Sequence, residues 1–168
     1  MTIKREYKET DFILLNILKE AQDKEGYLSE KTMKKISLKY DVPLARLYGI
    51  ATFYMMLKTK PQGKYVIEFC SSPSCILNNS ITIEEALKKK LGIDSGETTK
   101  DNLFSLYRSS CIGLCNEAPA MLINHKPYTK LTLNKINKII DDLKKEYEKK
   151  NKKSIKKKVK KNANTKKN

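Results

Sequence analysis

Residues 64–75 read KYVIEFCSSPSC, and this stretch decides the fold. Lys64 to Cys70 is rich in β-branched and aromatic residues and follows the turn signal Pro61-Gln62-Gly63, so it predicts a strand. Cys70 stands where that strand ends, and Cys75 lies in the loop beyond it. A second strand is expected over Leu103 to Tyr107, and after a short loop come Cys111 and Cys115. The two pairs, Cys70-x4-Cys75 and Cys111-x3-Cys115, thus sit on loops at strand termini, which the strands can bring together.

Working outward, Thr82-x-x-Glu85 has the form of a capping box opening a helix that stops at Gly92. Ala120 to Asn124 predicts a third strand, Asn124-His125-Lys126-Pro127 a turn, and Tyr128 to Leu131 a strand pairing back. A last helix is expected from near Thr132, with Ile136, Ile139, Ile140, Leu143 and Tyr147 at helical spacing. Upstream, three short helices are expected. The first, Asp11 to Lys24, carries Phe12, Ile13, Leu14, Leu15, Ile17 and Leu18, too many for a narrow stripe, so it should be well buried; Gly26 ends it. Ser29 can cap the second, with Met33, Ile36 and Tyr40 inward. Pro43 suits the first turn of the third, with Leu44, Leu47, Tyr48, Ala51 and Met55 on one face. The fold class is therefore α+β, a helical region over residues 1–60 followed by a small mixed sheet with helices over 61–150. Residues 151–168, nearly all Lys, Asn and small polar types, are expected to be a disordered tail.

Composition excludes several classes of function. The longest apolar-looking stretch, Tyr48 to Leu57, is half of the roughly 20 residues that a membrane-crossing helix needs. No secretory signal is expected, because charges follow FILLNIL directly and no small-residue cleavage site appears. The expected compartment is cytoplasmic, where thiols stay reduced and grouped cysteines serve as ligands or redox groups. The net charge of +16 over 168 residues is uneven: Lys144 to Asn168 holds 13 Lys against Glu146 and Glu148, leaving only +5 for residues 1–143. The excess belongs to the tail. It reads as a solvated charge run, with salt-sensitive attraction to anionic lipid or RNA as the secondary reading and no specific nucleic-acid partner.

Four converging thiolates are the ligand set of a tetrahedral zinc or of an iron–sulfur cluster. A [2Fe–2S] cluster needs two sulfur ligands on each iron, which two separated pairs supply naturally. Gly113 in the second loop lets the backbone come close to inorganic sulfide, and Pro73 stiffens the first loop. Structural zinc favours Cys-x2-Cys knuckles, and neither spacing is x2. The spacings also differ from bacterial and plant-type ferredoxin arrangements, so a zinc-stabilised interaction module and reduced or disulfide-linked structural cysteines stay open as readings, and among clusters [2Fe–2S] is favoured over [4Fe–4S]. A Rieske centre is excluded, since it needs two histidines and His125 is the sole one, read as a turn residue. Tyr48, Phe53 and Tyr54 read as core or subunit-contact residues.

Further motifs occur in a telling order: Gly26-Tyr27-Leu28, then Leu47-Tyr48-Gly49-Ile50-Ala51-Thr52-Phe53-Tyr54, the first cysteine pair, Gly96-Glu97-Thr98-Thr99, and Cys111-Ile112-Gly113-Leu114-Cys115 before Ala118-Pro119. From about residue 10 to 147 the chain resembles the 24 kDa iron–sulfur subunit family of NADH:quinone oxidoreductase (respiratory complex I), whose bacterial members are its E-type subunits. That family also supplies gamma-type subunits of NAD(P)-linked hydrogenases and formate dehydrogenases. The resemblance implies a helical N-terminal region and a thioredoxin-like [2Fe–2S] ferredoxin domain, with Cys70, Cys75, Cys111 and Cys115 as cofactor and metal ligands. It further implies a partner flavoprotein subunit that binds FMN and NAD(H). With no Gly-rich dinucleotide fingerprint and no acid–base pair in this sequence, no catalytic residue is expected in the chain itself. In the first loop Ser71-Ser72-Pro73-Ser74 and Ile76-Leu77-Asn78-Asn79 depart from the family pattern, so the hydrogen bonds to sulfur, and with them the potential, are expected to differ. Ala118-Pro119 is a candidate cis bond.

Overall fold

The computed structural model describes the backbone of residues 10–164 and the side chains of residues 13–150. The expected burial of Phe12 and the side chains of the Lys-rich tail lie outside these described residues. Helices α1 (Thr10–Glu25), α2 (Glu30–Tyr40) and α3 (Leu44–Phe53) form the helical region. Ser29 caps α2 as expected, its hydroxyl accepting from the Thr32 N–H at 3.1 Å. These helices close over their own core of Leu14, Leu18, Leu28, Met33, Ile36, Val42, Leu47, Ala51 and Leu57.

Two expectations for this region need correction. Burial on α1 is uneven: Leu14 and Leu18 are enclosed and Leu15 and Ile17 are partly buried against the same core, but Ile13 is 45% exposed. On α3 only Leu47 and Ala51 are buried; Tyr48 and Met55 are about half exposed, and Phe53 and Tyr54 are exposed too, not core. Adjacent residues on a helix point about 100° apart, so Tyr48 turns away from the Leu47–Ala51 stripe. Met55 falls beyond the end of the helix.

The sheet has five strands, β1 (Tyr65–Cys70), β2 (Glu97–Thr98), β3 (Phe104–Ser109), β4 (Met121–Ile123) and β5 (Lys126–Tyr128), in the order β2-β3-β1-β4-β5. β1 and β3 run parallel, from Tyr65 opposite Phe104 to Cys70 opposite Ser109, and the other pairings are antiparallel. Alternation along β1 sends Tyr65, Ile67 and Phe69 into a core shared with α5 (Ser80–Leu91) and α6 (Leu133–Asn164), which supply Ile83, Leu87, Ile136 and Ile140. Val66 and Glu68 face the opposite side of the sheet.

The helix expected from the capping box starts earlier. A short helix α4 (Pro73–Leu77) precedes it, Asn79 caps α5 in the left-handed conformation, and Thr82 and Glu85 lie inside α5. The return strand is β5, closer to β4 than expected, because Asn124 and His125, both at positive φ, make a two-residue turn. Strand β2 is only two residues long, too short to show a period. The backbone of α6 stays helical past residue 150 to Asn164; Lys is a good helix former, and neither Gly nor Pro intervenes.

One ion pair ties the helix layer to the end of β3. The Glu84 carboxylate, 8% exposed, accepts from Arg108 Nε and Nη2 at 2.8–3.2 Å and also pairs with Lys88 Nζ at 3.1 Å. Glu84→Gln removes the charge while keeping the shape. We expect a stability loss of about 2 kcal/mol, read as a lower urea midpoint at unchanged slope; an unchanged midpoint would show that the pair contributes nothing.

Candidate functional site

Parallel, in-register pairing sets the carboxyl ends of β1 and β3 side by side, and every cysteine lies at that end. Cys70 is the last residue of β1 and Cys75 lies in α4, which opens at Pro73; both are buried, at 1% and 2% exposure. Cys111 and Cys115, in the segment after β3, are exposed free thiols. Backbone and hydroxyl bonds lace the loops together. Cys70 N–H donates to Ala120 O at 3.1 Å, Ser71 N–H to Ser109 O at 3.0 Å, and Ser74 Oγ to Cys115 O at 3.3 Å. The peptide before Pro119, a candidate that the sequence could not decide, is cis.

The thiols are grouped as two pairs. Cys111 Sγ and Cys115 Sγ are 3.2 Å apart, and the Cys70 and Cys75 thiols lie near enough to shift each other's acidity. Burial pushes the Cys70 thiol up, but N–H groups of Ser72 and Ile112, with the Cys75 thiol and the Ser72 hydroxyl, outweigh it and bring the group below its ordinary value. Burial also raises Cys75, against a single N–H from Ala120. Cys115 is raised by its hydrogen bond with Cys111 and then by the charge of that neighbour. Donors aimed at sulfur favour thiolate, the form that binds metal.

Gly113 holds φ at +81°, and no protein atom lies within 4 Å of where its Cβ would be. Within the chain its contribution is the left-handed turn that brings Cys115 back beside Cys111. Among the described residues, no group of three or more His, Cys, Asp or Glu side chains is arranged to hold a metal ion. That is the demand of a single ion; a two-iron centre asks for two donors at each of two points, which is how the thiols are paired. A wide concavity of about 860 Å³ lies elsewhere, lined by Gly96, Thr99, Phe104 and Lys144. An electron carrier needs no substrate cavity at its redox group, only a short path to its surface.

All four cysteines singled out from the sequence meet at one end of the sheet. Sequence reasoning missed α4, although Ser72-Pro73 is an N-cap–N1 signal. It also missed the N–H donors of Ile112 and Ala120, for which no local signal exists.

A mixed sheet carrying paired thiols at the carboxyl end of its two parallel strands is the architecture of a small iron–sulfur domain. The sequence model of the thioredoxin-like [2Fe–2S] ferredoxins matches residues 1–144, and the chain belongs to that family. It is 39% identical over 121 residues to the E-type subunit of the NADH-quinone oxidoreductase of Rickettsia bellii, covering 72% of each chain. To the NADP-reducing hydrogenase subunit HndA of Solidesulfovibrio fructosivorans it is 33% identical over 127 residues, covering 76% of this chain and 74% of that one. The structure is similar to the air-oxidised NAD+-reducing [NiFe]-hydrogenase, with a TM-score of 0.69 at 22% identity over 78% of this chain. That likeness is one of fold, and this chain spans 23% of the hydrogenase chain. No described helix is long and apolar enough to cross a membrane.

Proposed function

We propose that this chain is the electron-transfer subunit of an NADH dehydrogenase-type oxidoreductase, with Cys70, Cys75, Cys111 and Cys115 holding one [2Fe–2S] cluster. The observation that carries the reading is the pairing of the thiols, one pair enclosed and one open to solvent, at the joined ends of two parallel strands. Family membership and the likeness to the oxidoreductase subunit of Rickettsia bellii support it. When bound, such a cluster takes up and gives back a single electron with no proton.

The hydride chemistry belongs to a partner. A partner flavoprotein that binds FMN would supply the two-electron hydride chemistry with NADH, and the role of this chain would be to carry electrons singly. Within the chain, Cys70 and Cys75 anchor the cluster from the buried side. Cys111 and Cys115, which are exposed, would hold it on the solvent side, where a partner's redox group could approach. The N–H groups of Ser72, Ile112 and Ala120 support negative charge on sulfur. The chain contributes no catalytic acid, base or nucleophile. Similarity to the hydrogenase subunit favours a second reading, a gamma-type diaphorase subunit of a soluble hydrogenase or formate dehydrogenase, with the same role for the chain.

Anaerobic purification with iron, sulfide and zinc analysis tests this. We expect two irons and two sulfides for each chain and a rhombic EPR signal on reduction. One zinc and no colour after cluster reconstitution would replace the electron carrier with a zinc-stabilised interaction module. The basic tail after residue 150 is proposed to be a solvated appendage. Its deletion is expected to leave the melting temperature and cluster content unchanged; a large loss of either would make it part of the folded unit.

A further inference from the structure

The segment joining α3 to the sheet, residues 54–58, is held more firmly than a linker needs to be. Gln22 of α1 grips it twice, accepting from Lys58 N–H at 2.6 Å and donating to Met56 O at 2.9 Å. Leu28 N–H donates to Lys58 O at 2.8 Å. The Lys58 side chain, only 12% exposed, then crosses to the sheet. Its ammonium donates to Met55 O at 2.6 Å, pairs with Glu68 at 3.0 Å and lies 4.0 Å from the centre of the Tyr107 ring. Glu68 on β1 and Tyr107 on β3 are register partners, so both project from the face opposite α5 and α6. Fastened there, the segment sets the Met55 sulfur 3.4 Å from the Ser110 hydroxyl, beside Cys111.

We infer that residues 54–58 are a strap through which the helical region positions the 111–115 loop, with Met55 as the contact at Ser110 and Lys58 as the clasp that holds it. The inference rests on the reading that the four cysteines hold the cluster. Lys58 shares its proton donors among a carbonyl, a carboxylate and an aromatic face, and this fixes where Met55 lies. Hydrogen bonding and solvent access next to the ligands tune an iron–sulfur centre, and removing such outer contacts commonly weakens it about tenfold or more.

The test uses the full chain with its cluster, and reads the midpoint potential by EPR titration and the rate of cluster loss to an iron chelator by visible absorbance. Met55→Ser alters a half-exposed side chain outside any helix and leaves the fold intact. It removes the thioether that meets the Ser110 hydroxyl and loosens the loop, letting more water reach the ligands, which favours the more negatively charged reduced state. We expect a higher potential and about tenfold faster cluster loss. Lys58→Met, which loses the clasp, should also speed cluster loss, and Lys58→Arg, which keeps the charge and the ring contact, should restore most of the change. If Met55→Ser and Lys58→Met keep the parent potential and chelation rate, the strap has no hold on the site and the inference falls. A parent chain that never takes up iron and sulfide would overturn the reading of the site itself, an outcome distinct from clustered variants that match the parent.

Discussion

Serine in place of Cys75 is expected to abolish the visible absorbance of the cluster and its EPR signal on reduction. The side chain is 2% exposed and held between Cys70 and the Ala120 N–H, so no water can take the vacated position on iron. A serine hydroxyl there is a harder and far less acidic ligand, and the enclosed site has no second thiol to spare. Iron content is expected to fall at least about tenfold, the scale on which weakened ligation lowers metal affinity. Cys115→Ser should do less harm, because that residue is exposed and solvent or a neighbouring group can complete the coordination. Purification of all four serine variants under anaerobic conditions measures this ranking. Intact spectra in all four would refute the ligand assignment.

Gly63→Ala is expected to destabilise the chain by about 3 kcal/mol, at the upper end of what overpacking costs. For a chain of this length that corresponds to a melting temperature lower by roughly 10 °C. A Cβ at Gly63 would stand 2.7 Å from the Phe104 carbonyl carbon and 2.9 Å from its nitrogen, and backbone at the start of β3 cannot swing aside as a flexible side chain does. Gly63 N–H also donates to the fully buried Ser105 hydroxyl at 2.7 Å, which in turn bonds Thr98, so displacement here disturbs both β3 and β2. Gly49→Ala is the control. Gly49 lies inside α3, nothing is within 4 Å of its Cβ position, and alanine should stabilise by about 0.5–1 kcal/mol through helix propensity. Thermal melts of the two variants side by side decide the matter, and a Gly63→Ala chain that melts with the parent would show that the close approach is not required.

The elements that sequence reasoning located well are those coded by neighbours in the chain. Lys64 to Cys70 announces itself as a strand because β-branched and aromatic residues follow a turn, and Ser29 caps α2 because its hydroxyl reaches an N–H three residues away. The errors arose where something outside the motif itself, an adjoining element or a neighbour in space, decided the outcome. Thr82 and Glu85 form a capping box in the sequence, yet α4 and the left-handed Asn79 start α5 earlier and absorb both residues into it. Tyr48 fits an apolar face on paper, but only Leu47 and Ala51 find partners in the helical core.

The same division holds at the site. By itself the sequence located two cysteine pairs at or just beyond the ends of two strands and narrowed their chemistry to a metal–sulfur centre or structural thiols, since spacing and strand ends are local properties. Only the tertiary structure decided that Cys70 and Cys75 are enclosed while Cys111 and Cys115 are open, because burial depends on which strand pairs with which. It also decided that Ile112 and Ala120 donate to sulfur and that Lys58 clasps Glu68 and Tyr107. Those contacts join residues 10 to 49 positions apart, and a local pattern carries no record of a partner that folding alone brings near.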